Sequence, residues 1–239
     1  MAAVRRSARW GCALAAAVLA MPAAAQQGML QGVWAMDDRG AWEELAPTDA
    51  AQQALARFDR AADDPSMRCV APGLIRTAES RPPVEFVEQD HQILMIYESF
   101  NVVRRIYTNA RPPPEWLPPS PLGYSVGAWH GDALVVETTH LTPHLLNDAG
   151  FPFSGDPAAR IVERYRPSAD RLELEFTVED PVYLRQPATR TLTFDRMHDA
   201  LLLHYACDPL DATGWRLPAT ENSLRDLRQW LDLRPLIPE

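Results

Sequence analysis

The sequence contains no lysine, and all 23 of its basic residues are arginine. Schiff-base chemistry and a lysine general base are therefore excluded, because both need a side-chain primary amine. The glycine-rich G-x-G-x-x-G turn and the P-loop are also missing, which removes the usual sequence support for nucleotide binding. No G-x-S-x-G elbow occurs either, so a Ser-His-acid triad could be assembled only by choosing its members freely.

Long apolar runs are scarce. Arg5, Arg6 and Arg9 precede the short apolar run 12–20, and the alanines at 23–25 offer an A-x-A cleavage site. This pattern predicts a signal peptide over residues 1–25 and export to the periplasm or secretion. No later segment approaches the roughly 18 apolar residues that a membrane-spanning helix needs, so a soluble mature protein without a membrane span is expected.

The chain is acidic, with a formal net charge of −9. Removal of the signal peptide takes away three arginines and no acid, which leaves 20 basic against 32 acidic residues and a net charge of −12. A strongly acidic surface repels phosphate backbones, so no nucleic-acid partner is predicted.

Few cysteines are present. Cys69 and Cys207 remain after processing, and an even pair in an oxidising compartment is most simply a disulfide, with two free thiols as the alternative. Removing 25 of the 239 residues leaves 214, enough for one substantial core. A single β-rich domain over residues 26–239 is predicted.

Two helices and a loop are expected outside the strands. The segment "LQGVW" resembles a strand start, and a single helix is predicted near 48–62, between a Thr48 cap and a Pro65 stop. Residues 68–83 are rich in turn formers and predict an ordered loop around Cys69. The segment 221–236 has apolar residues at helical spacing and predicts a terminal amphipathic helix.

From residue 84 onward the apolar period is two, which indicates strands joined by short turns. The clearest strand is "RLELEFTVE", in which apolar and polar residues alternate strictly. Together these strands favour an antiparallel barrel or barrel-like meander of lipocalin-like architecture, because closure of the sheet removes exposed edges. A β-sandwich is the alternative. The predicted strands are 84–89, 92–98, 102–108, 125–129, 132–139, 160–166, 171–179, 189–195 and 200–206.

Charged residues on faces that should be apolar are the main candidates for a site. A three-residue turn at 99–101 would put Glu98 and Arg104 on one mostly apolar face, where they either pair structurally or project into a ligand cavity. In "RIVERYR", Glu163 shares the inward face with Ile161 and Tyr165. Glu163 could accept a proton from a substrate, or it could satisfy an arginine or a tyrosine hydroxyl.

The hairpin "GYSVGAWHGDALVVETTHL" is mostly explained by structure, since Gly131 and Asp132 suit a turn and Trp129 is core material. Its remaining polar residues could line a barrel interior and touch a ligand. They are Ser125, Glu137 and Thr138.

No metal site is predicted. His140, His144 and Asp148 could be drawn as ligands, but Pro143 disfavours a regular helix between the histidines, so their spacing does not fix a shared face. No cofactor is predicted.

The motifs "CVAPG", "IYESFNVVRRIY", "SVGAWHGDALVVETT", "IVERYR", "VEDPVYL" and "YAC", in this order, resemble a large family of exported, mostly uncharacterised bacterial proteins. The resemblance covers about residues 63 to 208. This sequence departs from the family pattern at Tyr124 and Phe153, where the family has histidines. It also departs at residues 109–111, where the family has the turn D-G-R. The resemblance assigns no reaction. It implies that the residues at the matching motif positions are important, and these are Cys69, Cys207, Glu98, Arg104, Ser125, Trp129, Asp132, Thr138, Glu163 and Asp180.

Function is expected to lie inside the barrel. The expected ligand is a small apolar or aromatic molecule oriented by Glu98, Arg104 and Glu163, with Ser125 and Thr138 beside it. The alternatives are a small-molecule isomerase, lyase or hydrolase that uses Glu163 or Glu98 as base with Arg104 stabilising an anion, and a structural envelope protein without a ligand. The sequence does not decide between a binder and an enzyme.

Overall fold

The computed structural model describes residues 28–43 and 45–207. The predicted signal peptide and the predicted terminal helix 221–236 lie outside this range. Within it, no helix combines the length and the apolar character that crossing a membrane requires.

The described chain is built mainly from strands. They are β1 (Gly32–Asp38), β2 (Trp42–Glu43), β3 (Val84–Gln89), β4 (Gln92–Tyr97), β5 (Val102–Tyr107), β6 (Tyr124–His130), β7 (Ala133–Thr139), β8 (His144–Leu145), β9 (Pro152–Phe153), β10 (Arg160–Pro167), β11 (Arg171–Glu179) and β12 (Ala188–Met197). The helices are α1 (Asp49–Leu55), α2 (Arg60–Asp63) and α3 (Leu74–Ala78), with 3-10 turns at Pro65–Arg68 and Ser99–Asn101.

Nine of these strands form a closed barrel in the order β1-β3-β4-β5-β6-β7-β10-β11-β12, and β12 pairs back with β1. Neighbouring barrel strands are antiparallel except β5 and β6, which are parallel and share only two residue pairs. The short strand β2 adds to β12, and β8 pairs with β9 separately. The predicted barrel is confirmed. The parallel pairing of β5 with β6 departs from the antiparallel meander that the sequence predicted.

The inward faces of the strands form the core. On β11, Leu172, Leu174, Phe176 and Val178 are all buried, while the residues between them are half-buried, as the strict alternation predicts. The largest fully buried side chain is Trp34, whose indole N–H donates to the Leu30 carbonyl oxygen at 2.8 Å.

The eight strands predicted between residues 84 and 195 are all present, but the predicted strand 200–206 is wrong. Residues 201–207 form no ladder with the barrel, because β1 occupies the position beside β12 and completes the closure. This segment is attached by other contacts, described below.

The single helix predicted over 48–62 is also wrong, because the chain forms α1 and α2 with a break at Phe58. Thr48 caps α1 as predicted, and Asp59 caps α2 by accepting from the Ala61 N–H. Phe58 packs so closely against Gly150 that a Cβ there would lie 2.2 Å from the ring, which is a tertiary contact that the helical pattern does not reveal.

The predicted loop 68–83 contains α3, whose five residues are all buried. So short a helix is stabilised by burial rather than by propensity, and a stretch rich in proline hides it. The predicted disulfide is present. Cys69 and Cys207 are bonded, with their Cα atoms 5.7 Å apart.

One end of the barrel is covered by loops, and we call it the capped end. Here β1, β4, β7 and β11 finish and β3, β5, β6, β10 and β12 begin. The covering segments are 39–82, 98–101, 118–123, 140–159 and 180–187, apart from residue 44, which is not described. The disulfide belongs to this end, since Cys69 lies in the first of these segments.

Candidate functional site

Four of the predicted ligand residues meet inside the barrel. Arg104 on β5 donates to both carboxylate oxygens of Glu163 on β10, from Nη1 to Oε1 at 2.8 Å and from Nη2 to Oε2. Its Nη2 also donates to Ser125 Oγ and Thr138 Oγ1, both at 2.9 Å. Tyr165 completes the cluster by donating to Glu163 Oε1 at 2.7 Å.

The cluster is buried from solvent, and the positive charge of Arg104 is balanced by the negative charge of Glu163. The side chains of Arg104 and Glu163 are 1% and 0% exposed. Burial alone would lower the pKa of Arg104, but its attraction to Glu163 raises that pKa above the ordinary value. Burial, together with the nearby Glu163 charge, raises the pKa of Tyr165 well above its ordinary value. Each of the five side chains forms at least one hydrogen bond within the cluster.

Glu98 does not belong to this cluster. The prediction that Glu98 and Arg104 share one inward face is therefore wrong. The connection between β4 and β5 has four residues rather than three, and Tyr97 pairs with Val102. Phe100 and Asn101 adopt positive φ of 57° and 51° to make this turn. A shift of one residue exchanges the two faces of a strand. Residues 93, 95 and 97 of β4 therefore point inward in place of 94 and 96.

Glu98 instead holds the segment 201–207. Its Oε2 accepts from the backbone N–H of Leu203 at 2.8 Å. Asn101 forms two further hydrogen bonds with the Tyr205 backbone, both 3.1 Å long, and the Phe100 and Tyr205 rings lie 5.0 Å apart. With the disulfide, these contacts fix the segment across the capped end.

Three other positions implied by the family resemblance make structural contacts or lie in a turn, and a further predicted interior residue lies outside the barrel. Trp129 packs against the core, and Asp132 is exposed in the hairpin turn. Asp180 is buried and accepts from the Ser154 N–H at 2.7 Å and the Ser154 hydroxyl at 2.8 Å. Glu137, predicted as a possible interior residue, is exposed and lies 3.6 Å from Arg160.

The two positions where the family has histidine are both aromatic here. Tyr124 stacks on Tyr107 with the ring centres 4.9 Å apart, and its hydroxyl donates to the Arg111 carbonyl oxygen at 3.1 Å. Phe153 lies against His144, with ring centres 4.6 Å apart, because these two residues are direct partners in the β8–β9 pair.

A cavity of about 460 Å³ opens among the loops of the capped end, and we call it the end cavity. This volume falls within the range of roughly 300–1,000 Å³ that is usual for small-molecule sites. No sequence pattern indicates this site, because its lining comes from segments that are far apart in the chain. The lining residues are Asp63, Pro65, Val70, Ala71, Pro72, Gly73, Pro121, Thr142, Pro143, His144, Leu145, Pro152, Phe153 and Tyr183.

His144 is the polar side chain of greatest interest in this lining. Its Nδ1 lies 2.9 Å from the Thr142 carbonyl oxygen, while its Nε2 is buried without a hydrogen-bond partner in the described part of the chain. Burial lowers the pKa of the imidazole. Gly73, with φ of 98°, packs on the ring so closely that a Cβ would lie 2.7 Å from it. The imidazole is thus held in place with one nitrogen unsatisfied.

A second cleft, of about 270 Å³, lies under Tyr205 and is lined by Arg39, Arg76, Glu79 and Asp148 among others. Arg76 donates to Asp148 at 2.7 Å, and burial raises the pKa of Glu79. The opposite charges of this cleft largely satisfy one another. Within the described ranges, no group of histidine, cysteine or acidic residues could hold a metal ion.

No protein-family model matches the chain, and no curated protein matches it. Solved structures with a similar fold include a mutant of the fluorescent protein UnaG, at 12% identity and a TM-score of 0.37 over 72% of this chain and 98% of that one. Another is the REP1-NXSQ fatty acid transporter, at 12% identity and a TM-score of 0.35, over 71% of this chain and 96% of that one. A third is a secretary abundant heat soluble (SAHS) protein from Ramazzottius varieornatus, at 13% identity and a TM-score of 0.29, with the same coverage.

Proposed function

We propose that the protein is an exported binding protein that holds a small apolar or aromatic molecule in the end cavity. The observation that carries this proposal is a cavity of about 460 Å³ at the capped end, whose lining among the described residues is mainly apolar.

The lining supports an apolar or aromatic ligand. Most of it consists of proline, valine, leucine and aromatic side chains. Pockets of this composition bind a ligand mainly by burial and orient it with a few polar groups.

The end cavity is a better place for the ligand than the polar cluster in the barrel. Both oxygens of Glu163 already accept hydrogen bonds, and Arg104 donates to acceptors on β6, β7 and β10. For the same reason Glu163 is poorly arranged as a general base, since a base must reach a substrate proton.

The disulfide supports export. Disulfides form and persist in oxidising compartments and are rare in the cytosol, and this one joins residues 138 positions apart.

The test is a titration of the mature protein with 2-methoxynaphthalene, whose fluorescence reports transfer to an apolar site. Wild type and a Val103→Trp control, altered at an exposed position, should bind it equally, whereas Leu145→Trp should bind it more weakly because the larger ring occupies part of the cavity. Equal binding by all three proteins, or no binding by wild type, would contradict the proposal. Native mass spectrometry of protein purified from the periplasm would then show whether a natural ligand is retained.

A further inference from the structure

We infer that the predicted terminal helix 221–236 packs against an apolar patch on the outer surface of the barrel, on strands β3, β4 and β5. We call this surface the outer patch, and it consists of Val87, Leu94, Ile96 and Val103. The contact lies within one chain and is independent of the end cavity. Three features support it, namely the apolar character of β4, the charges beside the patch and the course of the segment 201–207.

The strand β4 is apolar on both of its faces. Ile93, Met95 and Tyr97 are buried in the barrel core, and the alternate residues Leu94 and Ile96 therefore point outward. A strand with one face in water alternates apolar with polar residues, whereas a continuous apolar run is typical of a strand covered on both faces. The outer face of β4 is therefore expected to have a cover.

The neighbouring strands extend this apolar surface. Ile96 pairs with Val103 on β5, and Leu94 pairs with Val87 on β3. Paired residues on adjacent strands lie on the same face of a sheet, so the four side chains adjoin one another. Val103 is 57% exposed, and the other three are half-buried. The outer patch is therefore accessible from outside, most of all at β5.

Two opposite charges flank the outer patch. Glu85 on β3 pairs with Ile96, and Arg105 on β5 pairs with Leu94. Neither Glu85 nor Arg105 has an ion-pair partner in the described part of the chain. The predicted helix carries both arginine and aspartate between its apolar residues, so each sign finds an opposite charge beside the patch.

The opposite side of the barrel offers no such surface. The outward positions of β10 and β11 carry three ion pairs that cross from one strand to the other, a pattern that suits contact with water. These pairs are Arg160 with Glu179, Arg164 with Glu175, and Arg166 with Glu173.

The predicted helix has an apolar stripe that needs a partner. Leu224, Leu227, Trp230 and Leu231 recur at helical spacing, with charged residues between them. A helix of this length is marginal in water by itself, and packing of its apolar face supplies most of its stability. An apolar surface on the barrel meets this requirement.

The segment 201–207 brings the chain to the strands of the outer patch. Leu203 donates its backbone N–H to Glu98, which directly follows β4, and the Leu203 side chain is 69% exposed. Tyr205 is bonded to Asn101, which directly precedes β5. The 13 residues 208–220 separate Cys207 from the predicted helix. At roughly 3.3 Å per residue they can span about 40 Å, so the helix can reach the patch.

Photo-crosslinking of the mature protein tests the contact directly. The photoreactive residue p-benzoylphenylalanine replaces Val103, and mass spectrometry locates the crosslinked peptide after irradiation. We expect the crosslink to join position 103 to residues 221–236 of the same chain. The matched control replaces Val162, an outward valine of β10 on the opposite side of the barrel, and should not give this product.

A mixture of unlabelled and ¹⁵N-labelled protein separates the possible occupants of the patch. A crosslink from position 103 that joins only labelled to unlabelled chains would assign the outer patch to a second copy of the chain. Absence of any crosslink between position 103 and residues 221–236 would place the helix elsewhere. Either result would overturn the inference.

Hydrogen exchange gives an independent readout on the intact protein. The amides of 221–236 should be protected in wild type, and Val103→Glu should speed their exchange at least about tenfold, because it puts a carboxylate into an apolar contact. Val162→Glu should leave their exchange unchanged. Leu227→Glu, on the apolar stripe, should act like Val103→Glu, whereas Gln229→Glu, on the polar side, should not.

The amides of β10 and β11 serve as an internal reference, because their protection reports folding of the barrel itself. It should stay at the wild-type level in all four variants. Rapid exchange of 221–236 already in wild type would contradict the packed helix. Loss of protection in Leu227→Glu but not in Val103→Glu would show that the helix packs on a different surface, which also overturns the inference.

Discussion

Arg104 and Glu163 face each other inside the barrel as a doubly hydrogen-bonded ion pair from which solvent is almost completely excluded. They lie on strands that are not neighbours, because β6 and β7 stand between β5 and β10 in the barrel. The pair therefore spans the interior, and Ser125 and Thr138 from the intervening strands join it.

Loss of one partner should destabilise the protein more than loss of both. Glu163→Leu leaves a buried guanidinium without its counter-charge, and we expect it to lower the free energy of unfolding by about 3–5 kcal/mol. Arg104→Met combined with Glu163→Leu should lose less than Glu163→Leu alone, because no buried charge remains. Urea denaturation of the three proteins measures both quantities.

The partly exposed pair Arg164 and Glu175 provides the matched control. These side chains are each 38% exposed and 3.8 Å apart, so removing either should change the stability by about 1 kcal/mol or less. A double variant that is less stable than Glu163→Leu alone would show that Arg104 and Glu163 do not act as a unit.

Strand alternation made part of this cluster predictable. Glu163 and Arg104 are each inward on their own strands, as the sequence indicated, because strands of a barrel expose one face to the core. Their partnership was not predictable, since it depends on the order of four strands in the barrel. Tyr165 was already on the inward face of the pattern, and only the assembled barrel brings its hydroxyl to Glu163.

The two failures have different physical origins. Glu98 was misplaced because the face of β4 depends on a turn whose length the sequence does not state, and its two positive-φ residues are neither of them glycine. The end cavity was missed because its lining comes from segments far apart in the chain. Gly73 precedes α3, whereas His144 and Phe153 lie on the paired strands β8 and β9.

The disulfide should make a large contribution to stability. It closes a loop across a sequence separation of 138, for which the chain-entropy model gives on the order of 4 to 5 kcal/mol. Reduction should therefore lower the urea midpoint substantially. A variant with both Cys69→Ser and Cys207→Ser should have the lower midpoint without reductant and should not respond to it. A wild-type midpoint that is insensitive to reductant under unfolding conditions would contradict this expectation.

Gly73 should resist substitution for two reasons at once. Its φ of 98° disfavours any side chain, and a Cβ would lie 2.7 Å from the His144 ring. We expect Gly73→Ala to lower the free energy of unfolding by about 1–3 kcal/mol and to weaken binding of 2-methoxynaphthalene, because the imidazole must move.

Gly131→Ala separates the steric effect from the backbone effect. Gly131 also has a positive φ, of 64°, but a Cβ there would meet no atom of the described residues within 4 Å. Its substitution should destabilise the protein less and leave probe binding unchanged. Identical behaviour of the two variants would show that the contact between Gly73 and His144 is unimportant.

Asp64 should make stability fall in acid. Its carboxylate is fully buried and accepts from Arg76 at 2.7 and 3.0 Å and from the Ser66 hydroxyl at 2.7 Å. Burial raises the pKa of Asp64, but these hydrogen bonds outweigh burial and hold it below the ordinary value of 3.8. The unfolded chain therefore takes up this proton first as the pH falls. The stabilisation is present above pH 3.8 and is lost as the pH falls from there through the folded-state pKa.

Asp64→Asn should be less stable than wild type at neutral pH, since Arg76 loses its buried counter-charge. The free energy of unfolding of this variant should also decline less steeply than that of wild type in this acid range. Parallel acid profiles of the two proteins, measured by urea denaturation at a series of pH values, would assign the acid sensitivity to other carboxylates.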